Sequence, residues 1–317
     1  MLNAFYSVIA AILSLFMMLY GTIAGLNNFD TISKYEENVA SFEPYENTIE
    51  TAVPQTELYN VIKNHFESEL PAGKIVKKAI VIGYDGCRAD ALTLCEDDGA
   101  VAKLITTGGK AYISYCGGVN YPVFNTQDTS TAPGWASILT GKWADAHGIT
   151  GNDITKSTDH LTLLTSLVEE KTVRDSAFYV SWNGHFSSDN ATYNLEKAYC
   201  EEKGLDVTFS DADDDIGTVE NTLKDIRSLN CSDFIFTILE HTDHAGHGTG
   251  FDLDNPDYSD AFAASEKDAM EMINAIESRF TYPVEDWLII ITSDHGGFNT
   301  GHGGFTIQER MTFYVAR

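Results

Sequence analysis

The chain has 317 residues, 43% of them hydrophobic, enough to bury the core of one large domain or two smaller ones. That apolar share excludes wholesale disorder, and a net charge of −27 excludes duplex nucleic acid as a partner, because backbone phosphate would be repelled. A small phosphorylated substrate stays open, since bound cations invert a local field.

Residues 4–25 are apolar and carry no charge. The run is long enough to span a bilayer. It also suits a signal peptide over residues 1–25, with Thr22 and Ala24 placed for cleavage. Either reading predicts an extracytoplasmic protein, secreted or anchored in the membrane by this segment. Residues 26–72 are polar and acidic and read as a stalk or adaptor, with a short helix near Thr56 to Glu69. Pro71 and Gly73 mark the entry to a main domain over 73–317. Export permits disulfides, but five cysteines leave at least one unpaired. With no Cys-x-x-Cys spacing, none is assigned to metal.

The main domain opens with an apolar strand, Ala79 to Tyr84, that runs into Asp85-Gly86. A helix-like stretch follows from Ala89 towards Thr106, then a strand over Lys110 to Tyr115. A helix is expected over Trp135 to Leu139, stopped near Gly141, and another over 161–170. A strand is expected at 176–182 and a helix over Glu196 to Lys203, while Val207 to Ser210 is ambiguous. Ile216, Val219, Leu223 and Ile226 recur at helical spacing. Phe234 to Leu239 is a strand, Ala261 to Phe280 a long helix, Trp287 to Thr292 a doubly buried strand, and Met311 to Ala316 a last strand. Strands alternating with helices predict a mainly parallel sheet covered by helices on both faces, joined by right-handed crossovers.

Three of these strands end in metal-ligand chemistry. The first gives Asp85. The second leads into Glu240-His241-Thr242-Asp243-His244-Ala245-Gly246-His247, and the third into Asp294-His295, with His302 a short loop later. In open α/β sheets ligands bind beyond the carboxyl ends of strands. Carboxylate and imidazole suit zinc, with manganese a rival. Asp243 and His247 share a face if a helical turn begins there. His241 and His244 compete with them, but read more readily as supporting or surface histidines. Thr131 lies in Asp128-Thr129-Ser130-Thr131-Ala132-Pro133-Gly134-Trp135, ahead of a helix. It is either a hydroxyl nucleophile near helix amides and a metal, or part of a plain helix cap before a first-turn proline. Phe186, Phe209, Phe251 and Tyr258, in polar segments that would frame a pocket, could stack a base or pack onto the domain.

Taken together these pieces resemble the alkaline phosphatase superfamily, and within it the nucleotide pyrophosphatase/phosphodiesterase family. The matching stretches are Val81 to Gly86, Thr131-Ala132-Pro133-Gly134 with Ser137 to Gly141 and His147-Gly148-Ile149, Asp243-x-x-Gly246-His247, Ser293 to Gly297, and His302-Gly303. The resemblance implies a three-layer α/β/α sandwich and two Zn2+ ions (Mn2+ possible). Thr131 would be nucleophile and ligand of one ion with Asp85, Asp294 and His295. Asp243, His247 and His302 would hold the other. It implies hydrolysis of phosphodiesters or pyrophosphates through a phospho-threonine, with a nucleotide or phospholipid headgroup as substrate classes. The alternatives are a phosphomonoesterase, a membrane-linked phosphoryl-group transferase, or a secreted binding protein on the same scaffold. A sulfatase would need Cys or Ser at position 131 and an Arg soon after Pro133. Two departures stand out. No Asn follows directly after Thr131, so a backbone amide, Asn120, Asn125 or Asn152 would have to serve, and the chain ends early, as if an outer element were missing.

Overall fold

The computed structural model describes residues 50–117, 127–152, 157–304 and 306–317. The apolar segment 4–25, the first part of the expected stalk, and Asn120 and Asn125 lie outside the described residues. Eight strands form one sheet in the order β1-β3-β8-β7-β2-β6-β4-β5. They are β1 (Glu50–Pro54), β2 (Val76–Tyr84), β3 (Lys110–Tyr115), β4 (Ser176–Val180), β5 (Val207–Asp211), β6 (Phe234–Leu239), β7 (Glu285–Thr292) and β8 (Met311–Ala316). All run parallel except β8, which is antiparallel to both β3 and β7.

The helices are α1 (Glu57–Glu67), α2 (Ala100–Thr106), α3 (Thr131–Thr140), α4 (Ala144–His147), α5 (Leu163–Glu169), α6 (Asn194–Lys203), α7 (Asp215–Arg227), α8 (His241–Thr249), α9 (Pro256–Glu277) and α10 (Ile307–Arg310). Alternation along the strands sorts them into two layers. Ile80, Ile82 and Tyr84 of β2 pack into one apolar cluster with residues of α2, α7 and α9. Ala79 and Val81 point the other way, into a cluster with α1, α3 and α5. The result is the expected α/β/α sandwich with a mainly parallel sheet.

Register positions the strand ends. Central β2 pairs Ile82 with Ile291 of β7 on one side and with Thr237 of β6 on the other. The three strands therefore run out together, and Asp85, Glu240 and Asp294 emerge side by side. The Asp85 amide still donates to Leu239 O at 2.9 Å, so the first residue beyond β2 is held in the ladder.

Several boundaries move. Residues 50–72 are not a stalk: β1 pairs with β3, and Leu58, Ile62 and Phe66 of α1 are buried against the sheet. Their spacing of four is an amphipathic stripe inside an acidic stretch. The 89–106 segment breaks into a 3-10 turn (Ala89–Leu94) and α2. Ile216 does not join the buried stripe of α7 and is exposed, whereas Val219, Leu223 and Ile226 are buried. Val207–Asp211 resolves as a strand, and Trp287 and Leu288 are only half-buried. The five cysteines are all buried, and no disulfide joins any of them.

The Trp135 indole packs against β2 at Gly83, which has no side chain to exclude it. A Cβ there would meet the indole at 2.3 Å. Gly83→Ala is expected to destabilise the fold by about 1–3 kcal/mol through overpacking. In denaturant titrations, a second change, Trp135→Phe, should return part of that loss, and purely additive effects would deny the contact.

Candidate active site

Thr131 is the first residue of α3, behind a Ser130 cap whose side chain makes no capping bond. The start of a helix leaves amides unpaired and favours negative charge. Thr131 Oγ1 lies 3.3 Å from Asp85 Oδ1 and 3.4 Å from His295 Nε2. His295 Nε2 is 3.3 Å from Asp85 Oδ1 and 3.5 Å from Asp294 Oδ2. Asp85, Asp294 and His295 are fully buried. Trp135 Nε1 donates to Asp85 Oδ2 at 2.8 Å and Gly86 N to Asp294 Oδ1 at 3.3 Å, which fixes one oxygen of each carboxylate.

A second group forms beside the first. Asp243 and His247 share a face of α8, four residues apart. His247 Nε2 is 3.4 Å from Asp243 Oδ2 and 3.0 Å from His302 Nε2, and His302 Nε2 is 3.6 Å from Asp243 Oδ1. His302 returns after only seven residues because Phe298 and Gly301 close a tight turn through paired backbone bonds, with Asn299 at φ 52. His295 and His247 each have the outward ring nitrogen occupied, whereas His302 Nδ1 is buried without a hydrogen-bond partner. His295 Nδ1 lies 2.7 Å from Gly296 O and His247 Nδ1 lies 3.1 Å from Thr300 O. As Nδ1–H donors, both rings turn a lone pair on Nε2 inward, the arrangement metal-binding histidines use.

These distances suit cations. A tetrahedral ion with bonds of about 2.0–2.1 Å puts its ligand atoms roughly 3.3 Å apart. Asp243 Oδ1 and Asp294 Oδ2 are buried without a hydrogen-bond partner in the protein, as carboxylate oxygens reserved for a metal would be. Asp85, Asp294 and His295 form one group able to hold a metal ion, and Asp243, His295 and His302 another.

The electrostatics say the same. Burial pushes the Asp294 carboxyl well above its usual range, and the neighbouring Asp85 charge adds to it. Asp243 rises to about 6, through burial and then Asp85. Burial raises Asp85 too, but the His295 hydrogen bond, the His295 charge and the Trp135 bond outweigh it and leave Asp85 below the usual value. Burial lowers His295, yet the Asp294 and Asp85 carboxylates hold it up at about 10.

The model of the type I phosphodiesterase / nucleotide pyrophosphatase family matches residues 79–306, which contain all seven of these residues. The chain belongs to that family. No curated protein matches it. Among solved structures, a putative sulfatase from Bacteroides thetaiotaomicron shares 13% identity over 75% of this chain and 64% of its own, with a TM-score of 0.51. Murine ectonucleotide pyrophosphatase/phosphodiesterase 5, inactivated and bound to AMP, shares 16% over 69% of this chain, with a TM-score of 0.48. This chain spans 57% of that murine structure. The periplasmic domain of a Campylobacter jejuni phosphoethanolamine transferase shares 13% over 77% of this chain and 80% of its own, with a TM-score of 0.48. For this phosphodiesterase-family chain, the likeness to the putative sulfatase speaks to the fold alone.

Asn152, one of three amides left open by the sequence, does reach Thr131. Its Oδ1 accepts from Ala132 N at 2.9 Å and its Nδ2 lies 3.5 Å from Thr131 Oγ1. Trp135 and Gln55 escaped sequence reasoning; Gln55 Nε2 donates to Asp294 O at 3.0 Å from a segment read as stalk. Glu240 stood in the motif but was given no role. It is buried, one oxygen lacks a partner, and it groups with Asp85 and Asp243. His241 instead pairs with Asp215 and Asp268, and His244 is exposed. Phe186, Phe251 and Tyr258 are buried and Phe209 packs on Phe186, so none of the four stands free as a base platform.

Phe251 has another use. A Cβ at Gly246 or at Gly297 would meet its ring at 2.4 Å or 2.3 Å, so the ring is wedged between α8 and the loop after β7. It also touches the rings of His247 and His302. Phe251→Ala should cost about 3–5 kcal/mol in denaturant unfolding. It should also lower metal occupancy at the Asp243–His247–His302 group more than at the other, seen by comparing metal content of this variant with that of a Gly83→Ala control.

Proposed function

We propose that the protein is a two-metal hydrolase that cleaves phosphodiester or pyrophosphate bonds through a phospho-threonine on Thr131. The observation that carries this reading is one threonine hydroxyl at the head of a helix, within 3.3–3.4 Å of a carboxylate and an imidazole, beside a second Asp-His-His group. Zn2+ is the ion the donor set favours, with Mn2+ second. Asp85, Thr131, Asp294 and His295 would hold one ion, and Asp243, His247 and His302 the other. When bound, the pair would supply Lewis-acid stabilisation of charge on the attacking and leaving oxygens.

The chain's own groups set up the attack. Asp85 accepts the Thr131 hydroxyl hydrogen bond and orients Oγ1. Oγ1 bonds to phosphorus as the bond to the leaving oxygen breaks. Water then cleaves the phospho-threonine, returning the hydroxyl and releasing the phosphorylated product. Asn152, fixed by the Ala132 amide, has its Nδ2 placed to donate to a nonbridging oxygen. A diester is favoured over a monoester because, among the described residues, the side-chain partners of Thr131 are Asp85, His295 and Asn152, with no guanidinium or ammonium. A monoester dianion would call for a guanidinium or ammonium there. Extracytoplasmic placement, through residues 4–25, belongs to the same reading, as does a catalytic unit over 73–317 extended here to include β1 and α1.

Thr131→Ala should lower turnover of bis(p-nitrophenyl) phosphate by roughly 10³-fold or more while metal content stays at the level of the parent. Full activity in that variant would remove the nucleophile. p-Nitrophenyl phosphate run beside it should be the poorer substrate, and the reverse order would move the assignment to a monoesterase.

Chelation should abolish turnover and added Zn2+ should restore it. Cation binding must also displace a proton at neutral pH, because His295 is held protonated in the metal-free protein. Below about pH 6 the Asp243 carboxyl must lose a proton as well, so affinity should weaken as pH falls through that value. Titration calorimetry in buffers of different ionisation enthalpy reads this directly. A binding heat independent of buffer would contradict it.

A further inference from the structure

Among the described residues, seven large hydrophobic side chains are exposed. Four of them, Leu70, Ile75, Leu229 and Phe280, lie in the loops that enter β2, β6 and β7. Those strands are neighbours at the centre of the sheet, in the order β7-β2-β6. The loops are also tied to one another. Ile75 N donates to Val284 O at 2.8 Å, and Arg279 Nη1 donates to Ser228 O at 2.9 Å and to Ile226 O. The four side chains therefore share one edge of the molecule, with a groove of about 430 Å³ between Leu229 and Phe280. Phe280 is 94% exposed and Leu229 87%. A soluble surface gains nothing from such side chains gathered together, and a gathered patch marks a contact surface.

Charge at this edge is mixed. The loops 68–75, 170–175, 204–206, 228–233 and 278–284 hold four cations (Lys74, Lys171, Arg174, Arg279) against five acids (Glu69, Glu170, Asp175, Asp206, Asp233), and the helix ends beside them add exposed Glu67, Glu169, Glu201 and Glu202. The whole chain carries −27. Most of the excess acid lies elsewhere, including Asp211, Asp213 and Asp214 at the opposite edge, where β5 ends. A lipid surface would meet clustered acid at that edge, and gathered apolar side chains among both signs of charge at this one.

The path of the chain selects the occupant. β1 runs parallel to β3, so Glu50 enters at this same edge. Upstream of it the sequence holds the uncharged apolar run 4–25, and the residues between can span at most roughly 80 Å. We propose that the edge formed by Leu70, Ile75, Leu229 and Phe280 rests on the lipid bilayer that takes up residues 4–25, which turns the Thr131 edge away from the membrane. The apolar side chains enter the headgroup region, and Lys171 faces lipid phosphates. The inference needs no catalytic activity, so it stands or falls separately from the proposed hydrolase.

The test uses the full chain in phosphatidylcholine vesicles, with and without phosphatidylserine, containing lipid with a nitroxide on its headgroup. A thiol fluorophore is placed at Phe280→Cys or, at the opposite edge, at Asp213→Cys. The native thiols are buried and should not react. Quenching should be several-fold stronger at position 280 than at 213. Ile75→Asp with Leu229→Asp should reduce quenching at 280 while the unfolding temperature holds. Equal quenching at both positions, stronger quenching at 213, or a chain that fails to float with the vesicles would overturn the proposal.

Discussion

Everything at the head of the sheet follows from one constraint: Asp85, Glu240, Asp243 and Asp294 are buried together. Ionised carboxylates packed at this spacing, away from water, repel one another strongly. Protons or cations must neutralise them. The same pressure lifts Asp294, Asp243 and Glu240 while His295 is held charged between Asp85 and Asp294. A fold that spends stability on such a cluster keeps it for what binds there, since a structural core has no use for unpaired carboxylates.

The register of β7, β2 and β6 creates that constraint and also limits it. Because the three strands finish level, their first polar residues have no choice but to meet. Loops of ordinary length then bring Thr131 and His302 to the same place, one on the first turn of α3, the other on a tight turn closed at Phe298 and Gly301. Phe251 and Trp135 serve as the solid floor. Each fills space opened by a missing side chain, at Gly246 and Gly297 for the first and at Gly83 for the second.

How much of this could be read beforehand depended on whether the signal was local. An apolar run that ends abruptly in Asp or His carries both strand and ligand in a few letters, so β2, β6, β7 and the residues beyond them were legible. The helix over 57–67 was visible too, but its membership in the core was not. Acid between Leu58, Ile62 and Phe66 hides an amphipathic face when a segment is judged by composition. Ile216 failed in the opposite sense, since period alone does not say where a buried stripe stops. Asn152 and Trp135 are joined to Thr131 and Asp85 only through the fold, and no spacing rule in a single sequence points from one to the other. The aromatics at 186, 251 and 258 show that a polar neighbourhood in sequence is compatible with a buried ring.

The two edges of the sheet are chemically opposite for a reason rooted in parallel topology. Strand C-termini and helix N-termini meet at one edge, where backbone dipoles favour anions and where a cation site gathers carboxylates. The other edge receives helix C-termini, where negative partial charge favours Lys and Arg, and Lys171, Arg174 and Arg279 stand there. Exposed Glu67, Glu169, Glu201 and Glu202 end helices at the same edge, so its apolar side chains sit among both signs of charge. The polarity that assembles a cation site at the head of the sheet leaves its foot, with Leu229 and Phe280 exposed there, the surface better suited to lipid.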